Sequence, residues 1–214
     1  MDAELYELAL KYIKASGSYS DSITYLKVSL WESFISNYLT QQAHTLHSEQ
    51  GVETRLTQWA KEQEKPIRDV ESGIAQLQML TGWSDELQSL LLEDILVTDP
   101  EEYRTDVLEL YELWCAGDEE ALRAMLNEEP DLSELTEEEL EEYNAQLPLQ
   151  EEYNKAMSLD RNEGMLEVAI EYLESDDVVF YAVGLAHLLD DTNGLVEALR
   201  QAGYTVELVT YSEG

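Results

Sequence analysis

Basic residues are scarce in this chain. Twelve Lys and Arg stand against 47 Asp and Glu, a formal net charge of −35 over 214 residues. Such a surface repels nucleic-acid phosphates and anionic membranes, which argues against nucleic acid as a partner. It favours solubility and attracts cations or basic peptides; the plainer reading is a solvated acidic exterior. Cysteine is nearly absent as well. Cys115 alone cannot form an internal disulfide, and it argues against a cysteine-based metal cage. Its neighbours Leu110, Tyr111 and Trp114 suggest a buried structural thiol rather than a nucleophile. No apolar run is long enough for a membrane span, and no signal peptide is seen, although an export signal would sit before Met1 in a longer chain. There is no Gly-rich phosphate loop, serine nucleophile elbow, HExxH, EF-hand or internal repeat. What remains is a chain that is 44% apolar, ordinary for a folded protein and sufficient for one domain, or one plus an appendage.

The organising stretch is Val178-Val179-Phe180-Tyr181-Ala182-Val183-Gly184-Leu185-Ala186-His187. A β-branched and aromatic run between an acidic turn and a glycine predicts a strand buried on both faces. Gly184, lacking a Cβ, would let the chain leave that strand sharply. His187 would then stand just past the strand's C-terminal end, where open α/β sheets bind ligands. A local hydrogen-bonding histidine is the alternative. Beyond it, Leu195, Val196, Leu199 and Ala202 recur at helical spacing, Gly203 stops the helix, and residues 204–209 alternate as a half-buried strand. Strand, crossover helix and strand would form one right-handed βαβ unit.

Upstream the pattern is helical. Residues 3–14 form an amphipathic helix broken at Ser16-Gly17-Ser18, and Asp21 or Ser22 is expected to cap a long helix through Ile23, Leu26, Leu30, Phe34 and Tyr38. His44 and His47 share a helical face at i and i+3, a metal-ligand spacing, but no third ligand follows nearby, so a polar helix end is the plainer reading. Val52, Leu56, Trp59 and Ala60 give the next apolar stripe. Pro66 opens a short strand over residues 67–70, and Glu71 follows it, either as a site carboxylate or as a partner for the next helix's amides. Helices over 74–80, 84–98 and 101–116 come next, with Ser84 and Asp99 as N-caps and Pro100 at a first helical position. Gly117 ends the third and Asp118 caps a fourth. Residues 99–142 hold 18 acidic residues and two basic ones, Arg104 and Arg123. Residues 99–147 are therefore expected to form a peripheral helical insertion or lid with solvated carboxylates, not a catalytic cluster. Pro148 is expected in the first turn of another helix. Arg161 is rare positive charge in that region, suited to a surface ion pair or to bidentate contact with a carboxylate or phosphate.

Three stretches carry a family resemblance. The run AVGLAHLLDDTNGLVEALRQAGYTVELV resembles the C-terminal motif of the TraB/GumN family, which includes TIKI-type proteases. GVETRLTQWAKEQEKPIRDVESGIAQLQML resembles its middle segment, and MSLDRNEGMLEVAIEYLES its Arg-Asn helix. The likeness runs from about Leu30 to Val209. Family members carry two Gly-x-x-His motifs; this chain has only Gly184 to His187, so it resembles the C-terminal part of a member, or one without its first half-site. The fold expected is a single α/β, helix-rich domain over 1–214, with a small partly parallel sheet flanked by many helices. The resemblance implies metal-dependent hydrolysis of a peptide or protein in an extracytoplasmic setting. His187 would hold a divalent zinc, manganese or cobalt ion, Glu71 would act as ligand or base, and Arg161 with Asn162 would position substrate. The competing implication is a non-catalytic peptide- or protein-binding domain of the pheromone-shutdown type. One imidazole and one carboxylate are fewer than the three protein ligands of catalytic zinc, so activity would be incomplete in this chain or would need a partner half: the missing N-terminal half-site or a second copy.

Overall fold

The computed structural model describes residues 3–43, 51–128 and 130–209. Among these residues there are helices and connecting segments, with no strand and no sheet. The α/β expectation is thereby corrected to an all-helical architecture. The chain divides into two units, Met1–Ala116 and Gly117–Gly214. Gly117, at φ 66°, marks the boundary, which falls inside the acidic stretch read as an insertion.

The first unit contains α1 (Ala3–Ala15), α2 (Val28–Ala43), α3 (Val52–Glu62), α4 (Gly73–Gly82), α5 (Asp85–Val97) and α6 (Pro100–Ala116). Its core gathers Ala9 and Ile13 of α1, Trp31, Ile35 and Leu39 of α2, Leu92 and Leu96 of α5, and Ile23 from a short 3-10 turn. The long helix expected from residue 21 starts later. Residues Ile23–Tyr25 make the 3-10 turn, whose Ile23 carbonyl accepts the Trp31 indole N–H at 3.0 Å. The start of α2 is capped across space. Buried Gln88 accepts the Ser29 backbone N–H at 3.3 Å and donates to the Trp83 carbonyl at 2.8 Å. A helix's first amides lack intrahelical partners, so this glutamine satisfies one that would otherwise be orphaned in the interior.

Local signals placed several ends correctly. The Ser84 side chain accepts from Leu87 N, Asp99 from Glu101 N, and Asp118 from Ala121 N. Cys115, expected to be buried, is exposed, because no residue of α6 is fully buried and the helix turns this face to water. His44 and His47 lie outside the described residues.

The second unit contains α7 (Glu119–Leu126), α8 (Glu137–Asn154), α9 (Asp160–Leu173), α10 (Leu185–Leu189) and α11 (Leu195–Gln201). A capping box, Thr136 with Glu139, opens α8, so Pro148 sits inside this helix rather than in a first turn. Between α8 and α9 the chain passes through a π turn, Lys155–Leu159. Helix α9 packs against α11, and α10 against α7 and α11, around Leu122, Met165, Ala169, Leu189 and Leu195.

The three expected strands need separate correction. Residues 67–70 are an irregular segment, with Ile67 exposed. Residues 178–183 and 204–209 lack any ladder. Val178 and Phe180, expected at the centre of a sheet, are 104% and 77% exposed. A β-branched, aromatic composition suits a strand only when a neighbour supplies hydrogen bonds and cover. Among the described residues there is no neighbouring strand, and the cover is partial.

Candidate functional site

The organised polar centre of the second unit is built on His187, Asn162 and Asn193. Asn162, on α9, is 2% exposed. Its amide Nδ2 donates to the Asn193 carbonyl at 3.1 Å, and its Oδ1 lies 2.6 Å from His187 Nδ1. The amide orientation assigns the tautomer. With Nδ2 committed as donor, Oδ1 must accept, so Nδ1 of His187 carries the proton. A second residue that orients an imidazole in this way is a common support for a histidine base or ligand.

A tight turn holds Asn193. The Asp190 side chain accepts the Thr192 and Asn193 backbone N–H groups at 2.8 and 3.1 Å. Gly194 then starts α11. A Cβ there would lie 2.4 Å from the Asp190 carbonyl oxygen and 2.8 Å from that of Leu188, so only glycine fits. Gly184 is different: its φ of −61° is ordinary backbone, and a Cβ would meet only His187 Cδ2 at 3.5 Å. The glycine essential to this motif's geometry is thus Gly194, not Gly184.

Helix α7 fixes the same turn from outside. Arg123 Nη1 donates to the Leu189 carbonyl at 3.1 Å and to Asp191 Oδ1 at 2.6 Å. Asn127 Nδ2 also donates to Leu189 O at 3.1 Å, while its Oδ1 accepts the Asp191 N–H at 2.8 Å. Leu189 O lies at the end of α10, where carbonyls lack helical partners, so Arg123 and Asn127 form a cap borrowed from another helix. The hydrogen bond to Asp191 also holds the Arg123 pKa above its ordinary value. Sequence reasoning had placed Arg123 in a solvated acidic block and had not singled out Asn127, Asn193 or Gly194. The available signals were Arg123's rarity as a cation and the turn-forming run Asp190-Asp191-Thr192-Asn193 before Gly194.

Of the four residues expected to act together, Asn162 and His187 are in contact, and half-buried Arg161 precedes Asn162 on the same turn of α9. Glu71 belongs to the first unit. There it accepts from Gln76 Nε2 at 3.4 Å, and the neighbouring Ser72, not Glu71, caps α4 by accepting from Ala75 N. Among the described residues no group of three His, Cys, Asp or Glu side chains stands close enough to hold a metal ion. His187 therefore does not by itself make the donor set a catalytic zinc requires. No described helix is long and apolar enough to cross a membrane.

Residues 1–208 match the TraB/PrgY/gumN family, and the chain belongs to it. The match begins well before Leu30 and covers nearly the whole chain, one Gly-x-x-His motif included. No curated protein and no solved structure matches.

Proposed function

We propose that the chain is a recognition domain for peptide or protein segments, with the polar face around His187, Asn162 and Arg161 as its contact site. The observation that carries this is the buried Asn162 amide, which joins the Asn193 carbonyl to His187 Nδ1 and so fixes the direction of the imidazole ring. Half-buried Arg161, one position before Asn162 on α9, adds a cation of the planar kind that suits carboxylates. The surrounding unit carries 26 acidic residues and four basic ones, so the field favours ligands rich in Lys and Arg.

Hydrolysis of the bound segment is the second reading. It is favoured by the same oriented imidazole, a side chain that serves as general base or metal ligand. It needs donors beyond His187 to hold zinc, manganese or cobalt, and Glu71 is the sequence's nominee as ligand or base. An extracytoplasmic setting belongs to this reading and rests on the resemblance alone.

Long-range proton–nitrogen NMR should show His187 protonated at Nδ1, and Asn162→Ala should mix the tautomers. On an array of Lys-rich and Glu-rich octapeptides, wild type should retain Lys-rich members that His187→Ala releases. Equal retention by both proteins would sink the recognition site. Submicromolar zinc binding in calorimetry, lost in His187→Ala, would overturn the binding-only reading in favour of hydrolysis.

A further inference from the structure

Residues 178–183 run extended from the exposed acidic turn at Asp176 and Asp177 to Gly184. The middle of the segment is pinned from beneath, where the Tyr181 hydroxyl donates to the Met165 carbonyl of α9 at 2.8 Å. Val178 and Val179 are both exposed; from there Phe180 and Ala182 are exposed and Tyr181 and Val183 half-buried, so residues 180–183 alternate outward and inward as on a strand. No backbone hydrogen bond joins Val178, Val179, Phe180, Ala182 or Val183 to another described segment. An anchored, extended run with outward apolar side chains, and open amides at these five residues, is the template to which another strand adds.

The chemistry of the occupant follows from the surroundings. Open N–H and C=O groups call for an extended backbone, not a helix. Val178 and Phe180 call for apolar side chains at alternate positions. Exposed Glu174, Asp176 and Asp177 precede the segment in a unit of 26 acidic and four basic residues, so the intervening positions call for Lys or Arg. A second copy is the poorer occupant, because each copy carries −35.

We propose that residues 178–183 are a strand-accepting edge that binds an extended basic segment by backbone pairing. Such a segment runs toward the His187–Asn162 pair, since Gly184, which ends the edge, accepts the His187 N–H at 3.1 Å. The proposal rests on the recognition reading above and specifies how the ligand lies.

The test uses the full chain and three synthetic decapeptides: alternating Lys and Val, the same with Glu for Lys, and the Lys-Val peptide with alternate amides N-methylated. The Lys-Val peptide should bind and slow amide exchange in residues 178–183, and the Glu-Val twin should not bind. N-methylation keeps charge and side chains but removes donors, and should weaken binding by about tenfold or more. Ala182→Pro should weaken it comparably while exchange in α9 stays unchanged. Binding of the Lys-Val peptide without protection of 178–183, or undiminished by N-methylation, would overturn strand pairing and leave peptide recognition standing. Failure of all three peptides to bind would overturn both.

Discussion

The two units are ordered by different forces. In the first, Ala9, Ile13, Ile35 and Leu92 are wholly inaccessible, and the interior is apolar apart from Ser29 and Gln88. In the second, a buried asparagine lies among Met165, Ala169, Leu189 and Leu195, and the segment from Leu188 to Gly194 is held mainly by directed hydrogen bonds. Burial is non-directional and tolerates small displacements. A hydrogen-bonded network does not, and loses most when one member is left unpaired. The unit with the less apolar interior is thus the one that fixes an imbalanced, chemically useful side chain such as His187. It is also the more acidic, with 26 acidic residues against 21 in the first unit, and four basic against eight.

Hydrogen exchange read separately in each unit can break this comparison. The largest expected effect is Ile35→Ala, which empties part of the first core and should cost about 4 kcal/mol in the exchange of α1, α2 and α5. A loss below about 1 kcal/mol would mean that this core is not close-packed. Next comes Gly194→Ala. Its Cβ would collide with backbone oxygens, which have no rotamer to retreat into, so about 3 kcal/mol should be lost from α10 and α11. Asn162→Ala should cost about 2 kcal/mol, because it strands the Asn193 carbonyl and His187 Nδ1. If Asn162→Ala proves neutral, the second unit is held by burial after all and the contrast fails.

The smallest effect sharpens the comparison through pH. Burial raises the Glu32 carboxyl pKa above its ordinary 4.5, partly offset by Ser33. Ionisation therefore costs more in the folded state than in the unfolded one. The cost is absent below pH 4.5 and grows as pH rises through the raised value. Glu32→Gln should slightly stabilise the first unit at pH 7 and flatten its stability between pH 4.5 and 7, as urea titrations at several pH values would show.

Helix ends were legible because their causes are local. Ser84, Asp99 and Asp118 each cap amides two or three residues on, and Gly117 takes the positive φ that stops α6. The sheet was misread because composition alone reports that a run prefers extension, not whether a partner strand exists. Residues 178–183 are extended, as Val and Phe favour, yet unpaired. Pro148 was misplaced because proline usually marks a first turn, whereas here the capping box twelve residues earlier had already started the helix. For the site, the sequence motif and the resemblance drew attention to His187 and Asn162. Their mutual contact, the Arg123 and Asn127 cap and the Gly194 turn depend on segments brought together from distant parts of the chain.

The π turn at Lys155–Leu159 is a reserve of chain length beside the site. Helices α8 and α9 run almost continuously, and a π turn carries one residue more than an α-helical turn of about the same rotation. Deleting one of its five residues would close the turn to α geometry and keep α9 in phase, so Asn162 would stay with His187 and Met165 in the core. Deleting one residue between Asn162 and Met165 meets no such slack, and would turn these two side chains by about 100° relative to one another about the helix axis. A similar deletion in the exposed stretch before α8 would be absorbed by the loop.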